Sequence, residues 1–213
     1  FFYLIGKHMA MSLKVLVPPH PLLKHWLSIL RDKNTPSVLY STGYEQIGKW
    51  LTYEALRDWL PYNKQTLETD FGETDGYYID SNHPLKIIAE IPEGLTLWYG
   101  AKEVIPNSTI LLGQLPKNIT QNEGVILYLS QIMKNHNPIN WLESLNRLGV
   151  ESKRILIISC ICSNEGLNEL AKKFPNQIIY TSCIDKESGK ENILNPGIGN
   201  PMLRLSTMSQ EKN

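Results

Sequence analysis

The chain of 213 residues is poor in cysteine: it has Cys160, Cys162 and Cys183 and no others. An odd count without C-x-x-C spacing excludes a disulfide framework and a metal pair of that kind. It fits a reducing compartment, cytoplasmic or, for an algal or plant source, the plastid stroma. Net charge is absent as well, with 21 basic against 21 acidic residues, so no bulk field draws the protein to nucleic acid or an anionic membrane. No apolar run approaches the roughly 20 residues that span a bilayer. Repeats, low-complexity tracts and linkers are also missing. The opening FFYLIGKHMAMS lacks the apolar length and cleavage pattern of a secretory signal, and residues 1–12 are set aside as a leader ahead of Met9 or Met11. Residues 13–213 are long enough for one good core and too short for two ordinary ones, so they are expected to form a single domain.

What is present is a change of pattern along the chain. An extended arm, Leu13 to Val17, stops at Pro18 and Pro19. A helix from about Pro21 to Arg31 follows, with its proline in the first turn and Leu22, Leu23, Trp26, Leu27 and Leu30 on one face. A second helix is expected to start at Thr35-Pro36 and to run to about Leu60, where Pro61 ends it. The glycines of LETDFGETDGYYID, at 72 and 76, mark an edge hairpin. From Leu85 strands and helices alternate: strands at 85–91, 109–112, 125–129, 154–161 and 177–183, helices at 93–105, 138–148 and 164–174. Unbroken apolar runs such as ILIISCI suit strands covered on both faces. The fold class is therefore α/β, a parallel sheet flanked by helices.

Isolated chemical groups point nowhere in particular. His20 and His25 are five apart and do not share a helix face, so each is expected to satisfy a local hydrogen bond rather than a metal. Cys160 and Cys162 alternate along one strand and read as core. Trp26, Trp50 and Trp59 read as packing contacts, and Glu54, Arg57 and Asp58 as a surface ion cluster. No metal ligands are assigned.

Five segments, in order, carry a resemblance: LRDKNTP (30–36), LTYEALRDWLP (51–61), GETDG (72–76), SNEGLNELAKKFPNQIIYTSCID (163–185) and NPGIG (195–199). Together with the opening VLVPPHPLLKHWLSIL they resemble the uracil phosphoribosyltransferases over about residues 13–205. The resemblance implies a phosphoribosyltransferase-type sheet, a hood formed by the N-terminal arm, the hairpin and the C-terminal loop, and a homodimer. The implied activity is transfer of ribose 5-phosphate from phosphoribosyl pyrophosphate to uracil, a step of pyrimidine salvage.

That chemistry needs a backbone cradle for phosphate, usually a glycine loop ahead of a helix, and cationic groups on the departing diphosphate. The family loop reads approximately DPMLATGGS. Aligned without a gap, this chain offers LSQIMKNHN, which puts Leu129 at the aspartate, Lys134 at the threonine, Asn135 and His136 at the glycines, and Asn137 at the end. Side chains at 135 and 136 fill space that backbone must enter, and Pro138 removes a donor. Where the family reads LRAGLG this chain has IPEGLT, with Pro92 at the clamp arginine. Gly113-Gln114 joins the strand ending near Leu112 to Leu115-Pro116, where the family inserts a mobile flap. The base-reading segment, similar to YIVPGLGDAGDR, is ILNPGIGNPMLR. Leu194, Gly199, Asn200 and Pro201 stand at its base-reading positions, Arg204 is retained, and both aspartates are gone.

These losses predict a uracil phosphoribosyltransferase-like protein that has lost catalysis, a pseudoenzyme with no catalytic residues and no cofactor. It is expected to serve as a dimeric scaffold or regulatory protein, with a protein partner or a small anion in its old cleft. The alternative is a divergent transferase or nucleotide-binding protein that sets Lys134, His136 and Arg204 around a different phosphorylated ligand, with magnesium only if transfer survives.

Overall fold

The computed structural model describes residues 2–3, 13–105, 108–188 and 193–206; the rest of the leader expected at 1–12 lies outside them. In chain order the elements are β1 (Phe2–Tyr3), β2 (Lys14–Leu16), α1 (Pro21–Arg31), α2 (Ser37–Leu56), β3 (Tyr62–Thr69), β4 (Gly72–Ile79), β5 (Leu85–Ala89) and α3 (Glu93–Ala101). They continue with β6 (Ser108–Leu112), β7 (Gly124–Ile132), α4 (Ile139–Arg147), β8 (Ile155–Ser163), α5 (Asn164–Lys173), β9 (Ile178–Thr181), β10 (Ile184–Ser188), β11 (Ile193–Asn195) and α6 (Pro201–Leu205).

Strands β2, β9, β8, β7, β5 and β6 lie side by side in that order, all parallel. Every residue of β7 and β8 is buried, because helices cover both faces. Leu23 and Leu30 of α1, Tyr44 and Ile47 of α2 and Leu97 of α3 pack with Ile126 and Ile158 on one side. Leu142 of α4 and Leu167 of α5 pack with Leu127 and Ile157 on the other. Two-sided cover is what an uninterrupted apolar strand requires, and the expected parallel sheet flanked by helices is the architecture observed.

The boundaries differ in instructive ways. Part of the N-terminal arm is a strand of the sheet, since Val15 pairs with Ile179 and is buried. Phe2 and Tyr3 extend that edge, antiparallel to β2. Helix α2 begins at Ser37 after Pro36, and Thr35 is not its cap; the Thr35 hydroxyl instead donates to the Ile29 carbonyl at 2.7 Å. It ends at Leu56, ahead of the expected Leu60, and α3 ends at Ala101, ahead of the expected Ile105. His20 caps α1, its Nδ1 accepting from the Leu22 amide at 3.1 Å, which is the local role expected of it. Strands β3 and β4 form a separate exposed hairpin.

Two corrections bear on function. Strand β7 does not stop at Leu129: Gln131 pairs with Ile161 and Ile132 with Cys162. Polar Ser130 and Gln131 masked this continuation in the sequence. The chain also does not finish its sheet at Cys183. Strand β10 pairs in parallel with β8, and β11 folds back on β10, so Leu194 stands opposite Glu187.

Candidate functional site

In a parallel sheet the ligand crevice lies beyond the carboxyl ends of the strands. Here the ends of β5 and β7 and the segment after β11 enclose a cleft of about 470 Å³. Glu90, at the end of β5, and Glu93, at the start of α3, form its floor, with Ser130, Gln131 and His136 from β7 and the turn that follows. Leu194, Gly199, Asn200 and Pro201 close the opposite side.

The turn is built differently from the ungapped alignment. Leu129 is a buried strand residue, and the reversal spans Met133 to His136, whose amides and carbonyls bond reciprocally at 2.7 and 3.1 Å. Lys134 and Asn135 stand exposed at its tip and do not line the cleft, whereas the His136 side chain turns back over the floor. Asn137 braces the turn from outside. Its Nδ2 donates to the Lys134 carbonyl and to Glu169 Oε2, both at 2.9 Å. The Lys134 amide, a donor that a phosphate cradle would use, is already engaged by Glu187 Oε2 at 3.1 Å. Glu187 is held in place by the Ser163 hydroxyl at 2.8 Å, and Ser163 in turn caps α5 by accepting from Gly166.

Glu90 carries the next link. Its Oε2 accepts the Ser130 amide at 2.8 Å and its Oε1 lies 2.7 Å from His136 Nε2. The Glu90 hydrogen bond raises the pKa of His136, with burial opposing. Glu93 is buried and faces the charge of Glu90; its carboxyl is pushed up, first by desolvation. Pro92 sits exposed ahead of α3, at the place where a clamp arginine was sought, and offers no charge.

A raised His136 pKa has a definite sign in stability. Folded His136 holds its proton more tightly than the unfolded chain, so the ion pair contributes fully below about pH 6.5, the ordinary imidazole value. The contribution is lost as pH rises through the higher folded value. His136 remains half-exposed, so solvent screening limits the effect to about 1 kcal/mol or less. Urea titrations from pH 6 to 9 should show a small decline in stability above pH 7 that His136→Ala removes; an identical profile in the variant would refute the assignment.

The base-reading positions are held from behind. Tyr40 donates its hydroxyl to the Ile198 carbonyl at 3.0 Å, and Tyr44, one helical turn along α2, shares a 2.9 Å hydrogen bond with Ser130 on β7. Asp185 Oδ2 accepts the Gly197 amide at 2.9 Å while Oδ1 pairs with Arg31 at 2.8 Å. Asn200 caps α6, accepting from Leu203 at 3.2 Å. Arg204 is a brace and not a ligand group. Its guanidinium donates to the carbonyls of Leu30, Ile198, Asp32 and Thr35 and stacks over Tyr40 at 4.0 Å.

Of the residues named from sequence, the cleft therefore gathers His136, Leu194, Gly199, Asn200 and Pro201. Lys134, Asn135 and Asn137 stay on the outer turn, Leu129 lies within the sheet, and Arg204 is spent on backbone, so the trio Lys134, His136 and Arg204 is not assembled around one ligand. Glu90, Ser130, Gln131 and Glu187 were missed. A usable signal existed for two of them, because the polar pair Ser130-Gln131 interrupts an apolar strand where parallel sheets place ligands.

Comparison with known proteins bears on the family and the fold. The family model for uracil phosphoribosyltransferase matches residues 17–204. The uracil phosphoribosyltransferase of Synechococcus elongatus is 30% identical over 92% of this chain and 98% of its own length, and that of a Synechocystis strain is 32% identical over 90% and 96%. A chloroplastic enzyme of that name from Arabidopsis thaliana is 28% identical over 87% of this chain and 68% of its own. In fold, the AQ2163 protein from Aquifex aeolicus superposes with a TM-score of 0.77 at 20% identity, covering 92% of this chain and 99% of that one. With a matched model spanning nearly the whole described chain, this protein belongs to the uracil phosphoribosyltransferase family.

Proposed function

We propose that the chain is a family member without transferase catalysis, acting as a dimeric scaffold or regulatory binding protein. The observation that carries this reading is the occupation of the phosphate turn: Glu187 takes the Lys134 amide from inside the molecule. A phosphorylated donor would have to displace one carboxylate and then settle beside two more, Glu90 and Glu93. Among the described cleft residues His136 is the single group able to carry positive charge, and Glu90 neutralises it. Transfer sites of this kind work by preorganised donors aimed at developing charge, and each lost donor costs about a hundredfold or more. Only Gly113-Gln114 separates the end of β6 at Leu112 from Leu115-Pro116, which supports the absence of a flap to exclude water.

No cofactor is proposed. Among the described residues no three His, Cys, Asp or Glu side chains gather as a metal ion would need, so magnesium is assigned no residues. A second copy of the chain is the proposed main partner. The hairpin exposes Tyr62, Phe71, Tyr77 and Tyr78, an apolar surface suited to cover by another chain. No helix of the described residues is long and apolar enough to cross a membrane. The chloroplastic relative supports a plastid stroma as the compartment if the source is algal or plant, and the cytoplasm otherwise.

One observation favours the alternative, a nucleotide-binding or divergent salvage enzyme: the cleft is open and Leu194, Gly199, Asn200 and Pro201 line it. The deciding experiment incubates the purified chain with uracil, phosphoribosyl pyrophosphate and magnesium and follows uridine monophosphate. Formation no faster than the protein-free background is expected. Repeated turnover would overturn the proposal.

A further inference from the structure

The parallel sheet ends differently on its two sides. Beyond β2 it ends in β1, two residues long and antiparallel. On the far side β6 pairs with β5 alone among the described residues, so one row of its backbone donors and acceptors faces outward. That row can be assigned residue by residue. The Gly113 amide donates to the Ala89 carbonyl at 2.9 Å, and backbone groups alternate along a strand. Thr109 and Leu111 therefore bond toward β5, while Ser108, Ile110 and Leu112 present N–H and C=O to the outside. The side chains alternate in step, Ile110 packing with the cluster under α1, α2 and α3 and Leu111 with the cluster under α4 and α5.

An outward row is ordinarily blunted by lysine, proline or a bulge. Residues 108–112, STILL, carry no charge and no proline, and their unbroken pairing with residues 85–89 leaves no bulge. Ser108, Thr109 and Leu112 are exposed. Ile91 adds apolar surface at the carboxyl end: it too is exposed, and its Cδ1 lies 3.4 Å from where a Cβ on Gly113 would stand.

The row is its own complement. Two copies of β6 set antiparallel about a twofold axis at Ile110 oppose Ile110 to Ile110 and Ser108 to Leu112. Every outward residue then meets an outward residue, which is the condition for a pair that exchanges both hydrogen bonds. A contact of this symmetry closes on itself, and an uncharged strand brings no like charges together. A strand of another protein would have to supply the same spacing, whereas a second copy already has it.

We propose that a second copy of this chain docks on the β6 edge and joins the two sheets across a twofold axis at Ile110. This deepens the dimer proposed above, on which it rests, and puts its axis at β6 in place of the hairpin.

The test follows amide exchange residue by residue on the intact chain across a dilution series, with sedimentation of the same samples. The amides of Ser108, Ile110 and Leu112 are expected to exchange at least about tenfold more slowly in the dimer than in the monomer, while those of Thr109 and Leu111, already bonded to β5, change little. Leu112→Pro removes one outward donor from each copy at a position where an edge strand accepts proline, and it should raise the dimer dissociation constant at least about tenfold. A dimer whose outward amides stay as fast as in the monomer, or whose dissociation constant is unchanged in folded Leu112→Pro, would overturn this inference and leave the dimer to the hairpin. A chain that sediments as a monomer throughout the series would refute the proposed dimer and this inference together, leaving the edge to a strand of another protein. If Leu112→Pro fails to fold, the exchange pattern of the unaltered chain decides alone.

Discussion

Gly48→Ala is expected to cost the fold about 3 kcal/mol, although alanine is ordinarily the better helix former by about 1 kcal/mol. Helices α2 and α3 cross in backbone contact through a reciprocal pair of glycines. A Cβ on Gly48 would collide with the Leu97 carbonyl, and one on Gly100 would collide with the Glu45 carbonyl. Neither obstacle is the free end of a side chain, so the helices must separate, and Leu97, Ile47 and Leu51, all fully buried, would lose their fit. Chemical denaturation should therefore show a large drop in midpoint for Gly48→Ala and for Gly100→Ala. The double variant should cost less than the sum, because the first separation already accommodates the second methyl. Additive costs would show that the two contacts are independent.

The second large effect is expected at Asp185, from which no catalytic role is asked. Its carboxylate binds Arg31 of α1 and the Gly197 amide, and its side chain is 6% exposed. Asp185→Ala would leave the partly buried Arg31 guanidinium with Cys183 as its remaining side-chain partner among the described residues, and would strand the Gly197 donor. Removing one partner of a buried pair costs about 3 kcal/mol or more, and the partial exposure of Arg31 puts this pair at about 2 to 3 kcal/mol. Gly197 sits at φ +62°, and its amide is held by that carboxylate. The segment lining the cleft should consequently loosen more than the sheet does. Hydrogen exchange would check this: amides from 194 to 201 should lose protection first, while β7 and β8 keep theirs until global unfolding. Uniform loss across the chain would contradict the assignment of Asp185 as the anchor of that segment.

How much of this was legible in the sequence depended on the kind of signal. The continuous apolar runs of β7 and β8 and the amphipathic face of α1 follow from periodicity, and they sufficed for the parallel sheet and its helical cover. The end of β7 did not, because Ser130 and Gln131 look like loop residues until Ser130 is known to meet the Tyr44 hydroxyl and the Glu90 carboxylate and Gln131 to pair with Ile161. Strands β10 and β11 are short and mixed in polarity, with no period to detect, yet they carry Glu187 to the turn. The ordered segments identified the family correctly, but a position in a motif does not say where a side chain's donors go. Only the alternative reading sets Arg204 around a ligand, and the structure commits it instead to four carbonyls. Conversely, Glu90 had no motif to mark it, and its importance comes from two partners, Ser130 and His136, that are remote in sequence.

The two tyrosine hydroxyls on α2 fix more than packing. Tyr40 ties down one wall of the cleft at Ile198 and Tyr44 the other at Ser130. Four residues along a helix advance by about 6 Å, so the gauge of the slot is a property of a single rigid rod and not of the loops that border it. Whatever forces those walls apart must therefore shift α2 or break one of the two hydroxyl hydrogen bonds.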